Sequence, residues 1–176
     1  MGAQPSLIEL LFWGKTNSCF IGFFIMKLKI GDKIPSFTLL NQEGKEVKSA
    51  ELVGKANLVI YFYPKDDTPG CTKEACSFRD NFEEFTDLGA QVIGISADSP
   101  KSHTKFASKY NLPFTLLSDN KNEVRKAFGL KGSLFGLLPG RVTYIVDKSG
   151  VVQYIFDSQF NALQHVSTAK EVLKKL

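Results

Sequence analysis

The sequence predicts an α/β fold, a central mixed sheet flanked by helices, and three observations carry that expectation. Leu58–Tyr63 and Gln91–Ala97 are continuous apolar runs, the pattern of strands buried on both faces. Segments with helical spacing follow each of them, so strand and helix alternate along the chain. Near the C-terminus, Asp147-Lys-Ser-Gly150 separates two more apolar runs, with glycine where a hairpin turn needs it.

Taken in order, short early strands are expected near Phe37 and Val47, and then the buried strand Leu58–Tyr63. Thr68-Pro69 is a strong helix start, threonine as N-cap and proline at the first helical position, where its missing N–H is no loss. Cys71, Ala75, Phe78, Phe82, Phe85 and Leu88 form one apolar stripe at helical spacing, so a single helix is expected to reach Leu88 and stop at Gly89. The strand Gln91–Ala97 comes next. Asp98 or Ser99, with Pro100, opens a helix through Tyr110. Thr115–Leu117 reads as a short strand and Lys121–Phe128 as a short helix ended by Gly129. Lys131–Gly140 is a loop rich in Gly and Leu. The strands Arg141–Val146 and Val151–Phe156 form the hairpin, and Ala162–Leu176 is a closing helix whose lysines suit its C-terminus.

The chemistry concentrates at the start of the cysteine helix. Cys71 falls at the third helical position, where backbone N–H groups point outward and the helix dipole favours an anion, a setting that activates thiols. The Thr68 hydroxyl is a natural donor to such a thiolate, and Gly70 leaves room for something small beside it. Cys76 is rotated from Cys71 by about 140°, and the two Cα atoms should lie roughly 8.5–9 Å apart in an intact helix. That exceeds the ~7 Å a disulfide tolerates, so any bond between them requires the first turns to unwind. Glu74 is read as a complement to the helix dipole, with steadying of Arg141 as the alternative. His103 and His165, isolated from other metal-binding side chains, are read as surface or packing residues.

The stretch PKDDTPGC matches the Pro-x-x-x-Thr/Ser-x-x-Cys motif of peroxiredoxins, and the second cysteine five residues on resembles the peroxiredoxin Q, or bacterioferritin-comigratory, subgroup. The resemblance runs through GISADSPKSHTKFASKYNLPFTLLSD to LPGRVTYIVDKSGVVQYIF, about residues 27–176, and is similar to the cyanobacterial and plastid branch. It implies a thioredoxin-like fold with an N-terminal hairpin and a thiol peroxidase acting on hydrogen peroxide and organic hydroperoxides. Cys71 would be the peroxidatic and Cys76 the resolving cysteine, joined in turnover by an intramolecular disulfide that thioredoxin or a similar dithiol reopens. Thr68 would bond the thiolate and the peroxide, Pro64 would shield the site, and Arg141 would supply positive charge beside the sulfur. No metal or other cofactor is implied. The intramolecular route removes any need for a partner subunit and favours a monomer, and the location is read as cytoplasmic, with a plastid as the alternative.

Two rivals share parts of this pattern. A thioredoxin-fold copper chaperone resembles Cys-x-x-x-Cys with a distant histidine, whereas here four residues intervene. A non-enzymatic holdase would use residues 1–25 as its apolar surface. Neither accounts for Pro64, Thr68, Cys71 and Arg141 together.

The composition fits one domain, residues 26–176. With 43% hydrophobic and 23% charged residues, 176 residues bury one core without a disulfide framework. A net charge of +4 with scattered lysines gives no nucleic-acid footprint. Three cysteines, only two of them close, suit a reducing compartment and a catalytic pair. Residues 1–25 are read as an apolar extension, disordered or the product of an upstream start, with a membrane-surface anchor second. Neither of its apolar blocks reaches the ~20 residues of a membrane span, and Cys19 within it has no catalytic partner.

Overall fold

The computed structural model of the chain describes residues 27–130 and 140–176; the extension 1–25 with Cys19, and the loop 131–139, lie outside the described residues. The strands, in chain order, are β1 Thr38–Asn41, β2 Glu46–Lys48, β3 Asn57–Phe62, β4 Ala90–Ser96, β5 Thr115–Ser118, β6 Val142–Val146 and β7 Val152–Asp157. The helices are α1 Ser49–Leu52, α2 Pro69–Asp80, α3 Phe82–Asp87, α4 Pro100–Tyr110, α5 Glu123–Ala127 and α6 Ala162–Leu173.

All strands join one sheet in the order β2-β1-β5-β4-β3-β6-β7. β3, β4 and β5 run parallel, while β6 pairs antiparallel with β3 and the β1–β2 hairpin is added antiparallel to β5. The sheet is mixed and carries its hairpin at one edge, as the sequence implies. β3 sits between β4 and β6, and alternation splits its side chains between two cores. Val59 and Tyr61 face α2 with Phe78, Phe106 and Val166. Leu58, Ile60 and Phe62 face Phe37, Val124, Phe128 and Tyr144 on the opposite side. Burial on both faces explains why this strand reads as an unbroken apolar run.

The cysteine helix differs from expectation. It breaks at Asn81, whose backbone (φ −110°, ψ 15°) leaves the helical region. The Asn81 side-chain amide donates to the Ser77 carbonyl at 2.8 Å, a local bond that competes with the helical ladder, and its oxygen accepts from Lys170 on α6 at 2.7 Å. α3 then carries Phe85 into the same core and ends before Gly89, which takes the left-handed conformation (φ 67°). The other boundaries fall close to expectation. Ser99 caps α4, its hydroxyl accepting from the Ser102 amide at 3.3 Å, and the Asp147–Gly150 turn closes with Gly150 at φ 82°.

Candidate active site

The end of β3 and the first turn of α2 meet the start of β6. Thr68 adopts the extended backbone of an N-cap, Pro69 starts α2, and Cys71 occupies the third helical position. Cys71 is 2% exposed and packs in the core beside Ala75 and Phe78. Cys76, on the same helix, is half-buried, and both are free thiols.

Arg141 enters from the residue before β6 and is almost fully buried. Its Nη2 donates to the Cys71 sulfur at 3.4 Å, its Nη1 to Glu74, and its Nε to the Gln159 carbonyl at 3.3 Å. Gly70 is what admits the guanidinium, because a β-carbon there would lie 3.2 Å from Nη2. The space that the sequence leaves beside the sulfur is therefore filled by the arginine. The Arg141 cation in contact with the sulfur and the N-terminal amides of α2 both present positive charge to the site. The same groups can stabilise charge that shifts onto a departing oxygen.

Glu74 takes the alternative reading, the arginine's partner, in place of the helix-dipole one: it is 0% exposed, one turn beyond Cys71 on the same face, and forms a buried ion pair with Arg141. Burial pushes its carboxyl upward, and the contacting Arg141 guanidinium pulls the other way. One signal was present in the sequence: a carboxylate on an apolar helix stripe requires a buried partner.

Of the surface and packing readings of His165, the packing one holds. It is fully buried; Nε2 donates to the Ser158 carbonyl at 2.9 Å and Nδ1 accepts from the Thr143 hydroxyl at 2.7 Å, which satisfies a neutral ring. Burial lowers its pKa to about 4, and the positive charge of Arg141 acts in the same sense. Behind Arg141, Arg125 of α5 donates to the Gly140 carbonyl and lies over the Phe62 ring at 5.7 Å. This bond fixes the backbone just before Arg141. The sequence carries no signal for it, since α5 and β6 meet only in the fold.

Thr68 has the N-cap backbone, but its hydroxyl donates to the Lys65 carbonyl at 3.1 Å and makes no capping bond to the helix. Pro64 follows β3 and is half-buried. Among the described residues, no group of three or more His, Cys, Asp or Glu side chains has the geometry to hold a metal ion. No helix among them is long and apolar enough to cross a membrane.

A buried thiol in the first turn of a helix, against an arginine at the start of an inner strand of a mixed α/β sheet, defines a cysteine-based redox enzyme. Comparison with known proteins gives the family. The AhpC/TSA family model matches residues 30–155. Peroxiredoxin Q, chloroplastic, of Populus jackii is 52% identical over 150 residues, 85% of this chain and 70% of that protein. The Arabidopsis thaliana protein of the same name is 52% identical over 159 residues, 90% and 73% of the two chains. Among solved structures, peroxidoxin BcpB of Mycobacterium tuberculosis superposes with a TM-score of 0.79 at 36% identity, covering 85% of this chain and 98% of that one. The bacterioferritin comigratory protein of Xanthomonas campestris, whose structures concern alkyl peroxide reduction, gives 0.72 at 31%, covering 79% and 90%. The chain belongs to the AhpC/TSA family, within its peroxiredoxin Q group, and has the thioredoxin-like fold. It is a peroxiredoxin, an enzyme that reduces peroxide at the expense of a thiol.

Proposed function

We propose that the protein reduces hydrogen peroxide and organic hydroperoxides through Cys71, that Cys76 resolves the product, and that thioredoxin or a similar dithiol recharges the pair. The observation that carries this is the Cys71 sulfur at the start of α2, 3.4 Å from Arg141 Nη2. The thiolate attacks one peroxide oxygen, the O–O bond breaks, and its electron pair leaves with the other oxygen, which takes up a proton. Cys71 becomes a sulfenic acid and the substrate an alcohol or water. Arg141 offsets the charge moving onto the leaving oxygen, while Glu74 holds the guanidinium in place. Turning its O–H away from the Lys65 carbonyl would let Thr68 donate to the thiolate or the peroxide. Pro64 would keep water from the sulfur.

The Cys76 thiol then displaces water from the sulfenic acid, leaving a Cys71–Cys76 disulfide. Both cysteines lie in the regular helix α2, so closing that bond requires its first turns to open. Exchange with an external dithiol restores both thiols. Because both sulfurs belong to one chain, a monomer suffices. The relatives' names favour a plastid over the cytoplasm as the setting. Residues 26–176 would form the functional unit, with 1–25 an extension outside it.

The test is peroxide consumption coupled to thioredoxin and its reductase. The parent should turn over and Cys71→Ser should not. Cys76→Ser should consume about one equivalent and then stall as a sulfenic acid. Equal single-turnover rates for Cys71→Ser and the parent would overturn the assignment.

A further inference from the structure

The loop that carries Pro64 and Thr68 between β3 and α2 is tied to α4 through a buried polar cluster that the chemistry above does not use. Its centre is the Asp66 carboxylate. The Tyr63 hydroxyl donates to Oδ1 at 2.8 Å and the Ser102 hydroxyl to Oδ2 at 2.7 Å. His103 Nδ1 lies 2.9 Å from Oδ2, and its Nε2 lies 3.2 Å from the Leu117 carbonyl of β5. His103 is 0% exposed and Asp66 7%. The Asp66 amide donates to Asp98, at 2.9 Å, and Asp98 is itself bonded to Ser96 at the end of β4.

The His103 ring bridges the cluster, with Nε2 facing the Leu117 carbonyl and Nδ1 facing the Asp66 carboxylate. Acceptors and donors are then all matched in a site closed to water. Such a cluster admits one arrangement and penalises others, because any displacement strands a buried polar group. The next residue, Asp67, needs holding, for it sits in the left-handed region at φ 56°. Its own ties, to Lys109 at 2.7 Å and to the Tyr110 hydroxyl at 2.6 Å, are solvent-exposed and contribute little.

We propose that Asp66 and His103 are positioning residues of the peroxidase site: through them α4 holds the Pro64–Thr68 loop, and with it the first turn of α2, in the register from which Cys71 meets peroxide. The proposal rests on Cys71 being the peroxide-reactive thiol. Misplacement of reacting groups by ~1 Å can cost ~10²-fold in rate, so loss of the cluster should be visible in the peroxide step itself.

The test uses the full chain in a Cys76→Ser background, below the melting temperature of every variant. Rate constants are measured for sulfenic acid formation with hydrogen peroxide and for alkylation of Cys71 by iodoacetamide. Asp66→Ala and His103→Ala should lose tenfold or more against peroxide and change less than threefold against iodoacetamide, which needs a thiolate but no aligned O–O bond. Asp66→Asn keeps one oxygen for the Tyr63 hydroxyl, and the two N–H groups of its amide can donate to a neutral His103 and to the Ser102 oxygen, so it should stay within threefold of the parent. Alanine variants that fold and react with peroxide within threefold of the parent would overturn the proposal. So would equal losses in both reactions, or an Asp66→Asn protein as slow as Asp66→Ala. Should an alanine variant not fold, Ser102→Ala removes one bond to Asp66 without opening the core. It should slow peroxide at least threefold, and an unchanged rate would refute the idea. A parent that does not react at Cys71 would refute the peroxidase reading instead.

Discussion

Oxidation to the Cys71–Cys76 disulfide should unwind the start of α2, and the structure sets the scale of the cost. If Cys71 and Ala75, 2% and 1% exposed, leave the core, the lost burial costs about 2 kcal/mol. If Glu74 goes with them and Arg141 stays, an unpaired buried charge adds about 3–5 kcal/mol. Against this, closing so short a loop restricts the unfolded chain and returns about 2 kcal/mol. The loss wins by about 3–5 kcal/mol. At about 2–4 °C per kcal/mol for a domain of this size, the oxidised form should melt roughly 6–20 °C below the reduced one. Hydrogen exchange locates the change: amides of residues 72–78 should be protected in the reduced protein and exchange freely in the oxidised one. Equal protection in both states, in a sample shown by mass to contain the bond, would refute the reasoning. A local loss of protection without a fall in melting temperature would mean that Glu74 keeps its place on Arg141 and unwinding stops before it.

Other expectations follow from the same contacts. Arg141→Ala should slow the reaction with peroxide by about 10²–10³-fold, the usual loss for one donor to a developing oxyanion, and high pH should not restore it; full rescue at alkaline pH in stopped-flow assays would reduce the arginine to an ionising influence. Gly70→Ala places a methyl 3.2 Å from Arg141 Nη2, so the guanidinium must shift and single-turnover rates should fall several-fold while secondary structure by circular dichroism stays intact. Glu74→Ala should destabilise by about 3–5 kcal/mol in urea titrations and Glu74→Gln by less, because the amide still accepts from Arg141. For His165 the folded pKa of about 4 lies below the ordinary 6.5, so the unfolded chain binds the extra proton between them. Stability should therefore fall as pH drops from about 6.5 to 4, by up to about 3 kcal/mol, and this slope should be missing in His165→Gln.

The sequence by itself determined the sheet strands, the start of α2 and the position of Cys71 within it. These are local matters: apolar runs, a Thr-Pro cap and a periodicity of 3.6 act over a few residues, and each is written contiguously in the chain. The break at Asn81 depends on a side chain competing for a carbonyl four residues back and on a lysine of α6, so the stripe that continued through it gave a false length. Only the tertiary structure decided that Glu74 turns inward to Arg141, that Gly70 exists for a guanidinium, and that Arg125 anchors the backbone before Arg141. Only it decided that His103 and His165 are buried hydrogen-bonding centres, with Asp66 joined to α4. Each of these joins residues far apart in sequence, and an ionisable group is buried only where a partner meets it. A pattern along the chain shows which face turns inward; the partner waiting there is set by how the sheet is ordered.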